Sequence, residues 1–294
     1  MVTVQLNGGL GNQLFQYAAG KALALHHEVP LQIDISWFYK NELHYLEVPR
    51  AYELSNFKGV TDQIIRTNTA PQVERRGYLE RKFVSKIFPA YKKNVYIEPF
   101  CHFDSNFFKS KKEVILKGQW QSEKYFRRYK KFFCDTIVLN DDLIMQVAKT
   151  GAELQRQESV AVHIRRADYL RLPIILEWHG VMDKDYYISA FRLLDGILGK
   201  YKVYYFTDDP EWVKKELLPV QDGSLMSQQF SSTHHHDFYL MSKCRHAIIA
   251  NSSFSWWAAW LNSNPHKIVV GPKKWFGNGP KDSYDVLPEN WLQI

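Results

Sequence analysis

The chain has 294 residues, 15% of them aromatic, and 38 Lys and Arg against 31 Asp and Glu give it a formal charge of +7. Its length suits two domains of ordinary size, and the absence of any run of 18 apolar residues excludes a predicted membrane span. Three widely spaced cysteines, Cys101, Cys134 and Cys244, exclude a disulfide framework and point to a reducing compartment, while the positive charge favours anionic partners.

The amino-terminal half opens as a strand over residues 2–6, with no leader pattern before it. The turn Asn7-Gly8-Gly9-Leu10-Gly11-Asn12-Gln13 follows, then a helix whose inner face is Leu14, Ala18, Ala22 and Leu25. A second strand over 31–35 carries Asp34 near its end. This β-loop-α-β opening resembles a dinucleotide fingerprint, with Asp34 where a ribose-binding acid belongs, but Leu14 stands where the third small residue should be. Residues 73–93 mix seven basic side chains with aromatics and aliphatics, a pattern expected either of a peripheral contact with an anionic membrane or of a solvated helix face. A strand is predicted over 114–120, aromatic-rich helix through Phe133, and a polar helix over 140–157 joining the halves.

The second half alternates strand and helix. Ser159 to Ile164 is a nearly continuous apolar run, as in a parallel strand buried on both faces, and it ends abruptly in polar residues: His163, Arg165, Arg166 and Asp168. A loop is expected over 169–182, a helix with Tyr187, Ala190, Phe191, Leu194 and Leu198 inward, a strand over 202–206, and a helix from Pro210. Further elements are a helix over 237–242, a strand over 247–250, a helix over 253–261 and a strand over 268–270. Such alternation gives an α/β fold with parallel sheets. The expected domains are 1–150 and 151–294, with the tail a candidate to fold back on the first half.

In open α/β sheets, ligands sit beyond the carboxyl ends of the strands, which is where His163, Arg165 and Asp168 emerge. An Arg fork matches phosphate oxygens in pairs, although Arg-Arg-x-Asp can also be a plain ion-paired turn. Asn251-Ser252-Ser253 stands between a strand and a helix, where backbone N–H groups and hydroxyls make an anion site or simply a cap. Asp208-Asp209-Pro210 is read as a helix start rather than a metal site. His234-His235-His236 lacks the spacing of a closed metal site and is read as loop. No nucleophile elbow or P-loop lysine motif is present.

Five ordered motifs together resemble the bacterial α-1,2-fucosyltransferases. They are Gly8-Gly9-Leu10-Gly11-Asn12-Gln13-Leu14-Phe15-Gln16-Tyr17-Ala18, Gly118-Gln119-Trp120-Gln121-Ser122-Glu123-Lys124-Tyr125-Phe126, His163-Ile164-Arg165-Arg166-Ala167-Asp168-Tyr169, Phe206-Thr207-Asp208-Asp209 and Ile249-Ala250-Asn251-Ser252-Ser253-Phe254-Ser255-Trp256-Trp257. The resemblance runs from residue 2 to about residue 276. Ala167 and Ala258 replace the usual glycines, each a single-methyl change.

The resemblance implies a GT-B-type fold of two Rossmann-like domains facing across a cleft. It also implies inverting transfer of fucose from GDP to the 2-hydroxyl of a terminal β-galactoside, on an acceptor that a lipid can carry, with no metal or other cofactor and no nucleic acid. Arg165 would hold the diphosphate beside Ser252 and Ser253, with His163 and Asp237 facing the guanine. Asp168, Asn251, Gly9, Gly11, Asn12 and Gln13 would complete the substrate sites. His179, within Trp178-His179-Gly180, is the candidate base and Asp34 its rival. A cytoplasmic protein, peripheral on the inner membrane face, is the expected setting. An NAD(P)-dependent oxidoreductase and a non-catalytic glycan-binding protein are the alternatives.

Overall fold

A computed structural model of the chain describes residues 1–39, 50–66, 94–99, 101–171, 173–227, 231–279 and 282–294. The basic stretch 73–93, expected to meet a membrane, lies outside these residues, as does the side chain of Asp168. The chain packs as two compact units, Met1–Leu54 with Val60–Lys130, and Ser55–Gly59 with Lys131–Ile294. The division falls near residue 130 rather than 150. The reason lies in 55–59, where Phe57 bridges Leu139 and the N–H groups of Lys58 and Gly59 donate to the carbonyls of Val138 and Thr136. The polar helix expected over 140–157 is two helices, Asp141–Met145 and Ala148–Arg156, both in the second unit. The tail stays with that unit as well.

The first unit holds a five-stranded parallel sheet, β1 (Val2–Gln5), β2 (Leu31–Asp34), β3 (Gln63–Ile65), β4 (Val95–Ile97) and β5 (Val114–Lys117), in the order β3-β2-β1-β5-β4. Val2 and Val4 of the central strand are fully buried, and the helix Leu10–His27 covers them with Leu14, Phe15, Ala18 and Ala22. Its closest approach to the sheet is at Gly20, where an added Cβ would meet Val4 Cβ at 2.8 Å and Leu31 Cδ1 at 3.1 Å. The small residue missing at position 14 is thus supplied nearly two turns later. The strand expected over 114–120 stops at Lys117, because Trp120 turns to φ 55° and sinks fully buried among Phe107, Tyr96 and Tyr125.

The second unit holds a six-stranded parallel sheet, β6 (Ser159–Ile164), β7 (Lys202–Thr207), β8 (Gly223–Leu225), β9 (His246–Ile248), β10 (Val269–Gly271) and β11 (Leu292–Gln293), in the order β11-β10-β9-β6-β7-β8. This is the doubly wound order of a dinucleotide-type fold, reversing between β6 and β9. All six residues of β6 are buried, as its apolar run requires. The helix Lys184–Leu198 lays Tyr187, Ala190, Phe191 and Leu194 on Val160, Val162 and Ile164. The helix Ser253–Leu261 is apolar all round and buries Trp256, Trp257 and Trp260.

Two expectations are corrected. The loop predicted over 169–182 contains a helix, Pro173–His179, with proline at its first position. The three histidines predicted as loop begin the helix His234–Lys243, where Thr233 Oγ1 accepts the His236 N–H at 3.3 Å. The cap at Asp209 holds as predicted, its carboxylate accepting Trp212 N–H at 3.2 Å ahead of Pro210. None of the three cysteines is in a disulfide, and no described helix is long and apolar enough to cross a membrane.

Gly20 sets the spacing between helix and sheet, so Gly20→Val should force them apart. We expect a loss of about 1–3 kcal/mol in unfolding free energy, read from a urea titration, with an unchanged m-value.

Candidate functional site

The carboxyl end of β6 delivers His163, and Arg165 and Arg166 follow it. His163 is 6% exposed, its carbonyl accepts Tyr187 OH at 3.1 Å, and its Nδ1 is buried with no hydrogen-bond partner. Burial, helped by the nearby Arg165 charge, lowers its pKa to about 3. At neutral pH the ring is therefore uncharged and offers one donor and one acceptor.

The two arginines are steered by the end of the neighbouring strand. Arg165 Nη1 lies 3.2 Å from Asp208 Oδ2, and the Arg166 N–H donates to Asp208 Oδ1 at 2.8 Å. Arg166 Nε meets Asp209 Oδ2 at 3.3 Å, and its guanidinium sits 4.3 Å from the Trp212 ring centroid. The aspartate pair is thus occupied in orienting arginines and capping a helix. Thr207 continues the chain of contacts: its N–H donates to Ser227 Oγ at 2.9 Å, and Ser227 donates to Asp237 Oδ2 at 2.6 Å. Ser231 donates to the other Asp237 oxygen. Burial outweighs both serine contacts and raises the Asp237 pKa above its ordinary value.

Across the reversal, β9 is followed by Ile249-Ala250-Asn251-Ser252, and the helix Ser253–Leu261 begins. Ser252 is the N-cap residue, yet its side chain makes no cap hydrogen bond. The first turn thus leads with backbone N–H groups, the positive end of a nine-residue helix. Asn251 is turned inward. Its Nδ2 donates to the carbonyls of His179 at 2.8 Å, Gly180 at 3.3 Å and Trp275 at 3.2 Å, and its Oδ1 is buried without a partner. His179 ends the helix Pro173–His179 with its ring stacked on Tyr169, centroids 5.0 Å apart and planes 18° from parallel. His163, Arg165, Asn251, Ser252 and Ser253 therefore gather at the ends of the two strands that flank the reversal, where such sheets bind ligands.

In the first unit the sheet order also reverses, between β1 and β5. Gly8 adopts φ +73°, and Gly9 is the N-cap of the helix that holds Gly11, Asn12 and Gln13. Gln13 is wholly buried and serves the scaffold: Nε2 donates to the carbonyls of Gly8 and Ala51, and Oε1 accepts Glu53 N–H. Asn12 Oδ1 accepts from Gln121 Nε2 at 3.1 Å. Asn7, Gln16 and Gln119 form an amide network that sequence reading missed, with Asn7 Oδ1 accepting from Gln119 at 3.0 Å and Gln16 at 3.1 Å. Glu98, equally unforeseen, fixes the Gln119-Trp120 turn by accepting both backbone N–H groups at 2.6–3.0 Å. Gln16 and Gln119 lie in quoted motifs and Asn7 immediately precedes one, whereas nothing near Glu98 in the sequence marks it. Asp34 is 4% exposed; its Oδ1 accepts the Ser36 N–H and hydroxyl, and its Oδ2 lies 3.4 Å from Gln5 Nε2.

The model of a family described as "Glycosyl transferase family 11" matches residues 1–294. An Escherichia coli α-1,2-colitosyltransferase is 30% identical over 100% of this chain and 99% of its own length. An Escherichia coli O-antigen biosynthesis glycosyltransferase, WbnK, is 29% identical over 98% and 99%. A mouse galactoside 2-α-L-fucosyltransferase, Sec1, is 22% identical over 100% of this chain and 74% of its own. Among solved structures, the NodZ α-1,6-fucosyltransferase soaked with GDP-fucose covers 90% of this chain and 96% of its own at 17% identity, with a TM-score of 0.51. The Bradyrhizobium NodZ structure gives 0.51 at 15% identity, covering 87% and 91%. The fold is the GT-B fold of those enzymes.

Asp237 carries a raised pKa, so the folded protein holds its proton more tightly than the unfolded chain. Stability then falls as pH rises through the range above 3.8. Asp237→Asn should make the protein more stable at neutral pH, and the gain should shrink as pH is lowered toward 4, in melting curves taken across that range. A neutral-pH loss of stability would show that the carboxylate is a structural keystone.

Proposed function

Because the chain belongs to glycosyl transferase family 11, we propose that it moves L-fucose, or a close 6-deoxyhexose, from GDP to the 2-hydroxyl of a terminal β-galactoside with inversion. Membership displaces the oxidoreductase and the non-catalytic binding-protein readings. The observation that carries the donor half of the proposal is the set of fixed donors at the β6–β9 reversal: Arg165, with Asp208 3.2 Å from its Nη1, beside the uncapped start of the Ser253–Leu261 helix. Such donors stabilise charge building on a departing diphosphate, and no metal is needed for that. Asp237, held between two serines, supplies carboxylate lone pairs that match the guanine N1–H and N2–H₂ edge. Neutral His163 lines the same site. The names of the colitosyl- and fucosyltransferase relatives support an α-1,2 linkage, and the donor sugar itself stands between fucose and its 3-deoxy analogue. A cytoplasmic setting accords with a nucleotide-sugar donor.

In the reaction, the acceptor oxygen attacks the anomeric carbon as the bond to GDP breaks, and a base takes the hydroxyl proton. We assign this to His179. Asp34 is the weaker candidate, because Ser36 and Gln5 engage its carboxylate in closing the Ser36–Tyr39 turn.

GDP should raise the melting temperature and UDP should not. At about 100 times the dissociation constant the stabilisation is roughly 2.7 kcal/mol, and EDTA should leave it intact. Arg165→Lys should abolish most of that shift, as Arg165→Ala should, because lysine keeps the charge and loses the fork. Equal shifts with both nucleotides would remove the guanine assignment.

His179→Ala should lower kcat by about 10²-fold or more while GDP affinity stays near wild type. Its acid limb in the kcat–pH profile should vanish. Wild-type kcat in the variant would transfer the role elsewhere.

A further inference from the structure

Of nine tryptophans, Trp178 alone is exposed, with 51% of its surface open to solvent. The backbone beneath it is held firmly. Gly277 and Gly279 both donate to the Trp178 carbonyl, at 2.9 and 3.2 Å, and Asn278 donates to the carbonyl of Glu177 at 2.8 Å. The two glycines are needed for that approach: an added Cβ on Gly277 would lie 2.7 Å from the Glu177 carbonyl oxygen, and one on Gly279 3.0 Å from that of Trp178. One residue on, the His179 carbonyl is tied to Asn251 at the end of β9, and Gly180 closes the helix at φ +70° with its N–H on Leu176. Helix end, glycine strap and strand end thus form one rigid edge of the β6–β9 site. An indole kept in water on a rigid backbone beside a ligand site offers apolar area at little entropic cost.

Resting on the reading above, we infer that Trp178 is a stacking platform for the apolar face of the acceptor galactoside. Galactose suits it, because its axial 4-hydroxyl leaves the carbon-bound hydrogens of the opposite face as a continuous apolar patch. The position fits as well: Trp178 precedes the residue assigned to take the acceptor proton. His179, stacked on Tyr169 and tilted against Phe276 at centroid distances of 5.0 and 5.9 Å, extends the aromatic edge inward. A sugar laid on the indole is oriented by a surface that makes no demand on its hydroxyls.

The test is binding of lactose to the full chain, by calorimetry and saturation-transfer NMR, with and without GDP, alongside the GDP melting shift. Trp178→Ala should weaken lactose by about tenfold and leave the GDP shift unchanged, while Trp178→Phe should stay within about threefold of wild type. In turnover assays the alanine variant should raise the acceptor KM and leave kcat near wild type. Unchanged lactose affinity in Trp178→Ala would overturn the platform, as would failure of the wild type to bind lactose. Parallel losses of lactose binding and of the GDP shift would overturn it too, by showing a merely structural indole. A wild type that binds lactose through Trp178 but shows no GDP shift would keep the platform and remove the donor reading instead.

Discussion

One carboxamide holds the described half of the site together. The Nδ2 of Asn251 donates to three backbone carbonyls from two segments that are remote in sequence, the His179-Gly180 turn and Trp275. The Trp275 carbonyl is buried, where an unmet carbonyl costs about 1–3 kcal/mol, and the other two are partly buried. Asn251 itself is 2% exposed. An aspartate there would point a carboxylate at three carbonyl oxygens, and a serine would be too short to reach them. The geometry therefore requires an amide, and the amide in turn fixes where His179 and Trp178 stand relative to the end of β9.

Two titratable groups of the candidate site, the buried His163 and the half-buried Asp237, act on stability in opposite directions. His163, with its pKa near 3, stays neutral when folded but takes a proton when unfolded below pH 6.5, so it withdraws stability as the pH falls from 6.5 toward 3. Asp237 withdraws it as pH rises above the ordinary carboxylate range. Neither placement is what a stability-maximising core would choose. Each keeps a polar atom in a dry place, and such atoms are what a buried ligand edge needs for recognition.

Most of the elements were legible in the sequence because parallel strands buried on both faces read as apolar runs and amphipathic helices show their period. The strand Ser159–Ile164, the helix Lys184–Leu198 and the Asp209-Pro210 start are examples. Strand order was not legible, since it depends on pairings such as Val160 with both His246 and Val203, which no local pattern encodes. The histidine run was misread because a threonine cap one residue earlier outweighs three polar side chains. The helix Pro173–His179 was missed for a related reason, a proline being as much a helix start as a turn. Leu14 counted against the glycine motif only because Gly20 was not considered as the point of close approach. At the candidate site, the tasks of several residues were not visible: nothing in the order of residues says that Gln13 serves Ala51 and Glu53, or that Glu98 serves Trp120.

The electrostatics of the Arg pair bear on the anion site proposed at the end of β6. The two adjacent arginines carry like charges, which repel. Asp208 and Asp209 offset this one for one, each facing its own arginine at 3.2 and 3.3 Å, so the described quartet is neutral overall. Net charge would then supply little of the affinity for a diphosphate. At the proposed donor site, what would select a diphosphate is the direction of the donors, with Arg165 set by Asp208 and Arg166 pinned over Trp212 and against Asp209. Replacing Asp208 would raise the positive potential and free the Arg165 fork at the same stroke. If orientation governs, that change weakens diphosphate binding despite the added charge, and this sign separates a preorganised donor set from a simple basic patch.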